Sequence, residues 1–124
     1  MIRVLVADDS APYLAAAAEV IAASQGFELD ALAQSGEEAV EQAAARRPDL
    51  ALIDVNMPGI DGPETADRIA AASPETAVVL MTATPNAVTP SEALDKRDLS
   101  SGTLAEIWDR LATSRRRAAR AAGQ

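Results

Sequence analysis

Apolar and polar positions along this chain alternate between two spacings, so the chain divides into strands and helices in turn. Residues 2 to 7, IRVLVA, form a short apolar run of strand-forming residues that stops at the cap-type residues Asp8, Asp9 and Ser10. From Ala11 to about Ser24, Leu14, Ala17, Ala18 and Ile21 recur at helical spacing. Pro12 falls in the first turn, where its missing N–H is tolerated, and Gly26 stands just past the end. Residues 28 to 33, ELDALA, alternate as a weaker second strand. Ser35 and Glu38 make a capping box that opens a helix through about Arg46, closed by Pro48. LALID, residues 50 to 54, is a third strand. Asp61, Gly62 and Pro63 then start a helix to about Ala72, with Ala66, Ile69 and Ala70 predicted on its inner face. TAVVLM, residues 76 to 81, is the fourth strand.

These strands are continuously apolar rather than alternating, which is the pattern of strands covered on both faces by crossover helices. The order βαβαβαβ predicts an α/β fold, a doubly wound parallel sheet whose ligands gather at the carboxyl ends of the strands. Pro85 and Pro90 interrupt residues 83 to 95, so a fourth helix and fifth strand are predicted to be truncated or irregular. Thr103 and Glu106 form a second capping box, followed by the stripe Leu104, Ile107, Trp108 and Leu111 of a terminal helix, with Trp108 placed away from the cleft. One domain is predicted over residues 1 to 113, with 114 to 124 as a basic helical or frayed tail.

At 124 residues the chain is of single-domain size. Its start, MIRVLVADD, turns acidic where a signal peptide stays apolar, so a cytoplasmic location is expected. The absence of cysteine and histidine excludes disulfides, Cys/His zinc sites and thiolate or imidazole chemistry. A net charge of −8 argues against a nucleic-acid-binding body. The basic run Arg115, Arg116, Arg117 and Arg120 reads first as cations complementing a helix C-terminus, with a partner-docking tail as the alternative.

The chemistry-bearing residues converge by topology. Asp8 and Asp9 follow the first strand and Asp54 ends the third, and these strands are expected to be neighbours. Two like charges about 4 Å apart repel by roughly 4 kcal/mol at an effective dielectric of 20, so three crowded carboxylates call for a cation. Magnesium suits hard oxygen ligands of this kind. Taken alone, Asp8 and Asp9 read equally well as helix caps. Thr82 ends the fourth strand and offers a hydroxyl on the same edge. Lys96 is the only lysine among the 11 Lys and Arg residues. Its ammonium is a compact point charge suited to one phosphoryl oxygen, although a solvated surface lysine is the bland alternative.

The stretches IRVLVADD, LALIDVNMPGIDG, VVLMTA and LDKRDLSSGTL, in this order, resemble the receiver domain of two-component response regulators. The resemblance implies a flavodoxin-like sheet of order 2-1-3-4-5. It also implies a phosphoacceptor switch receiving a phosphoryl group on Asp54 from a histidine kinase or histidine phosphotransfer protein. Asp9, Asp54 and the backbone carbonyl of Asn56 would ligate Mg2+, Asp8 would act through bound water, and Thr82 and Lys96 would hold the phosphoryl oxygens. Asn56 and Thr84 fall where the family tunes hydrolysis. For this chain the expected output is a contact with a downstream protein, or a homodimer, since its length leaves no room for an attached DNA-binding or enzymatic domain; no direct nucleic-acid or membrane role and no enzymatic turnover beyond its own phosphoryl group are expected. The chain departs from the pattern at Ala93, where an aromatic residue is usual, at Arg97, where a proline is usual, and in the short interval between Thr82 and Lys96. Residues 83 to 95 are therefore expected to form a loop that orders when Lys96 meets the phosphoryl group.

Three other functions compete. A phosphorylation-independent interaction module is the main one. An aspartate-dependent phosphohydrolase would need an acidic residue where Asn56 stands, and a flavin-binding relative would meet repulsion from Asp8 and Asp9.

Overall fold

The computed structural model describes residues 1–84 and 93–123. The strands are β1 (Ile2–Ala7), β2 (Phe27–Ala33), β3 (Leu50–Asp54), β4 (Ala77–Thr82) and β5 (Leu94–Asp95). The helices are α1 (Ala11–Ala23), α2 (Gly36–Arg46), α3 (Gly62–Ala72) and α4 (Ser101–Ala122), with a 3-10 turn at Lys96–Asp98. All five strands are parallel in one sheet of order β2-β1-β3-β4-β5, the flavodoxin-like doubly wound arrangement expected. The fifth strand is only two residues long. The central part of the predicted 83 to 95 loop, 85–92, lies outside the described residues.

Strand periodicity divides the core into two clusters. Val4, Val6, Leu50 and Leu52 pack with Leu14, Ala17 and Ile21 of α1 and Leu104 of α4. The alternate residues Leu5, Ala7, Ala51 and Ile53 pack with Ala39 and Ala43 of α2 and Ile69 of α3. Helices on both faces explain why β1 and β3 are apolar at every position. The same alternation assigns Asp8 and Asp54 to the α1/α4 side, in step with Val4 and Val6 and with Leu50 and Leu52.

Four local expectations are corrected. In α3 the buried positions are Gly62, Thr65 and Ile69; Ala66 is half-buried and Ala70 exposed. The helix is rotated because Gly62 rests on the backbone of Asp54 and Val55, and Thr65 is accommodated because its hydroxyl donates to the Asp61 carbonyl at 2.7 Å. In the box at α2, Ser35 accepts from the Glu38 N–H at 3.1 Å, but the Glu38 carboxylate returns to the Gln34 N–H, one residue before the cap. At α4 the cap is Ser100, not Thr103. Ser100 and Thr103 exchange backbone N–H to hydroxyl bonds at 2.8 and 3.2 Å, and this reciprocal pair starts the helix a turn earlier. Finally, β2 begins at Phe27 and β4 runs from Ala77 through Thr82. The Thr76 hydroxyl is spent on the Pro48 carbonyl at 2.7 Å, in the turn before β4.

Gly62 is where the fold most directly positions the site. A Cβ there would stand 2.5 Å from the Asp54 carbonyl oxygen and 2.6 Å from the Val55 Cα. Gly62→Ala is expected to cost about 1–3 kcal/mol, the usual penalty of forcing extra volume into a packed region. Urea unfolding checks this as a lower midpoint at unchanged slope.

Candidate functional site

The carboxyl ends of β1 and β3 bring Asp8, Asp9 and Asp54 together, with one carboxylate oxygen of each within 4.8 Å of the others. Asp8 is fully buried at 0% exposure and Asp54 nearly so at 6%, while Asp9 is exposed. The Asp8 N–H continues the ladder by donating to the Ala33 carbonyl at 3.0 Å, and the Val55 N–H does so beyond β3 by donating to Met81 at 2.8 Å. Both carboxylates are therefore held on rigid strand extensions rather than on free loops.

Lys96 enters this group from the end of β5. Its Nζ stands 2.5 Å from Asp8 Oδ2 and 3.8 Å from Asp54 Oδ2. The resemblance implies a role for Asp8 through bound water; Asp8 also lies beside the lysine. Asp8 Oδ1 accepts from the Ser10 N–H at 2.8 Å. Among the described residues Asp8 Oδ2 has no directed hydrogen bond, so its close approach to Lys96 is an ion pair without aligned geometry. Asp54 Oδ1 accepts only a long bond, 3.4 Å, from the Asn56 N–H.

Burial pushes the Asp54 carboxyl above the usual carboxylate range, and the charge of Asp8 adds to the shift, while Lys96 and the Asn56 N–H draw it back. Three carboxylates against one ammonium leave two negative charges uncompensated. That excess, the hard oxygen donors and the undirected Asp8 Oδ2 fit a small divalent cation.

Thr82 is buried at the end of β4, and its Oγ1 accepts from the Thr84 N–H at 3.0 Å. Strand register sets Met81 beside Asp54 and Thr82 beside Asp95, so the hydroxyl-bearing residue lies between the strand of Asp54 and that of Lys96. Asn56 is exposed in the loop after β3. That loop is latched at its far end. Gly59 adopts φ +80°, a conformation that favours glycine, and the Glu37 carboxylate accepts the Ile60 N–H at 3.2 Å.

Sequence reading missed Tyr13. Its ring lies 4.3 Å from Lys96 Nζ, and its hydroxyl donates to the Lys96 carbonyl at 3.1 Å. A signal was available, because Tyr13 occupies the first turn of a helix that begins immediately after Asp8 and Asp9.

Fold and acidic cluster together define a flavodoxin-like receiver domain. The sequence model of the family described as "Response regulator receiver domain" matches residues 4–98, and the chain belongs to that family. Protein-glutamate methylesterase/protein-glutamine glutaminase 2 of Anaeromyxobacter dehalogenans (strain 2CP-C) is 44% identical over 103 residues, covering 83% of this chain and 28% of that protein. Response regulator GacA of Pseudomonas viridiflava is 38% identical over 82 residues, covering 66% of this chain and 38% of that protein. The chain thus spans well under half the length of these curated relatives. Among solved structures, the response regulator domain of Thermotoga maritima CheB superposes with a TM-score of 0.69 at 26% identity, covering 94% of this chain and 95% of that one. The response regulator protein TrrA from Thermotoga maritima, solved in complex with Mg(2+)-BeF, has a TM-score of 0.62 at 34% identity, covering 68% of this chain and 71% of that one. No helix among the described residues is long and apolar enough to cross a membrane.

The raised Asp54 carboxyl fixes the sign of a stability effect. A group that holds its proton more tightly folded than unfolded contributes stability at low pH, and that stability is lost as pH climbs through the folded titration. With a chelator present, Asp54→Asn is expected to raise the thermal midpoint at pH 7 by several degrees. The advantage should shrink as pH falls toward 4, the ordinary carboxylate range. Calorimetry at a series of pH values checks this.

Proposed function

We propose that this receiver domain is a phosphoacceptor switch in which Asp54 takes a phosphoryl group from a histidine kinase or histidine phosphotransfer protein. The observation that carries the reading is the position of Asp54: a nearly buried carboxylate, crowded by Asp8 and Asp9, with the Lys96 ammonium at 3.8 Å. One Asp54 oxygen attacks the phosphorus while the bond to the donor's leaving atom breaks, giving an acyl phosphate and the free donor. Lys96 then holds one phosphoryl oxygen by its charge, and the Thr82 hydroxyl donates to another. Among the described residues the Thr82 oxygen acts as an acceptor, toward the Thr84 N–H.

Asp8, Asp9, Asp54 and the backbone carbonyl of Asn56 are the residues we assign to Mg2+, which when bound neutralises the excess charge of the cluster and of the phosphoryl oxygens. The Mg(2+)-BeF complex of the relative TrrA supports this choice. Lys96 contacts Asp8 more closely than Asp54, so phosphorylation in this scheme includes a turn of the ammonium toward the phosphoryl group. Output is a changed contact with a downstream protein or a second copy, in the cytoplasm, and the chain turns over no substrate besides its own phosphoryl group. Neither the methylesterase nor the glutaminase activity in the relatives' names is assigned to it.

A second reading, an interaction module that signals without phosphate, is favoured by the two-residue β5 and by Ala93. Acetyl phosphate separates the two. With Mg2+, mass spectrometry is expected to show one added phosphoryl group, absent in Asp54→Asn and absent with chelator; an unmodified wild-type mass at every donor concentration would establish the module instead. Mg2+ alone should raise the thermal midpoint in proportion to the logarithm of its concentration above the dissociation constant. Asp9→Asn should flatten that rise.

A further inference from the structure

Lys96 is weakly held by its own strand. β5 ends at Asp95, and its pairing with β4 amounts to Met81 with Leu94 and Thr82 with Asp95. What fixes the lysine comes from the other side of the cleft. Ser10 caps α1 by accepting from the Tyr13 N–H at 3.2 Å, which sets Tyr13 in the first turn behind Asp8 and Asp9. From there Tyr13 reaches both ends of one residue. Its hydroxyl donates to the Lys96 main-chain carbonyl at 3.1 Å, its ring face lies 4.3 Å from the Lys96 ammonium, and the hydroxyl also rests 3.7 Å from the sulfur of the buried Met81.

We propose that Tyr13 is the positioning residue for Lys96, its hydroxyl anchoring the lysine's backbone and its ring guiding the ammonium between Asp8 and Asp54. The role rests on the phosphoryl reading of the site. Geometry gives the hydroxyl and the ring separate tasks. The hydroxyl fixes where the side chain starts, replacing the hold that a longer β5 would provide. The ring supplies a face along which a cation is attracted without being trapped, since a quadrupole, unlike a carboxylate, bears no net charge. An ammonium so bounded moves between neighbouring anions and is kept from swinging into solvent. Burial, followed by the charges of Asp8, Asp54 and Asp95, pushes the Tyr13 phenol up to about 12, so the group stays protonated and able to donate near neutral pH.

Two substitutions separate the tasks. Tyr13→Phe keeps the ring and loses the anchor, whereas Tyr13→Leu loses both. With acetyl phosphate at saturating Mg2+, the rate of phosphoryl gain should fall in the order wild type, Phe, Leu. The leucine variant should be about threefold to tenfold slower, as loss of one cation–π contact implies. In a Lys96→Met background the leucine change should have no further effect. A purely structural role would instead slow both backgrounds by the same factor, and that result, or a wild-type rate in Tyr13→Leu, overturns the proposal.

A second measurement needs no phosphoryl chemistry. Because the chain has a single lysine, labelling with 13C-lysine gives one ε-methylene signal, expected upfield through the ring current in wild type and Tyr13→Phe and at its random-coil position in Tyr13→Leu. A random-coil signal in wild type rejects the clamp. An upfield signal in a wild-type protein that takes no phosphoryl group sinks the phosphoryl reading while the clamp itself stands.

Discussion

Asp8 and Asp54 repel each other across the ends of two adjacent strands, and Lys96 is the group that makes this tolerable. Neither carboxylate can move away, because each is fixed by backbone ladder bonds at its own strand end. Neither can be hydrated freely, because both are buried. Desolvation and like charge therefore act on the same atoms, and one ammonium offsets only part of the cost. The site is consequently under electrostatic tension. Anything that brings positive charge to the cluster is favoured, and so is anything that turns a carboxylate into a group whose charge is displaced outward.

The scaffold supporting this tension is unequal on its two sides. On the acidic side, β1 and β3 are central, covered by both core clusters, and α3 is docked on the Asp54 backbone through Gly62. That side resists displacement. On the cationic side, Lys96 follows a two-residue strand and opens a short 3-10 turn. Rigid anions thus face a more lightly anchored cation, which stands 2.5 Å from Asp8 and 3.8 Å from Asp54. Placing Tyr13 on α1, opposite β5, restores part of the missing restraint from an element that is itself well packed.

Membership in the receiver family accounts for the sheet order and for the location of the cluster, but the chain's individuality lies after Thr82. The interval to Lys96 is short, Ala93 provides no ring, and α4 continues as a helix through the basic run to Ala122. Arg115 is tied back to the body, its guanidinium donating to the Glu75 carbonyl at 2.5 Å. Arg116, Arg117 and Arg120 remain exposed. Of these cations only Arg120 lies in the last turn of α4, where a cation complements the macrodipole; Arg115, Arg116 and Arg117 precede it along the helix.

By itself the sequence determined the elements and their order, because these follow from short-range physics. Continuous apolar runs specify strands covered on two sides, Ser10 and Ser35 specify helix starts, and the βα alternation leaves few topologies other than a doubly wound sheet. Convergence of Asp8, Asp9 and Asp54 follows from that topology, since the ends of neighbouring parallel strands share an edge. Tertiary structure alone decided what those local patterns leave open. The inner face of α3 keeps Ile69, as the apolar spacing predicts, but the close approach of Gly62 to Asp54 turns it so that Thr65 is buried in place of Ala66 and Ala70, and the α4 cap was decided by the reciprocal bonds of Ser100 and Thr103. The pairing of Lys96 with Asp8, and its grip by Tyr13, join residues brought together only when α1 and the end of β5 pack beside the same strand ends. A sequence carries the charge and shape of each partner, but which partner is nearest depends on distances of a few ångströms that only the packed fold fixes.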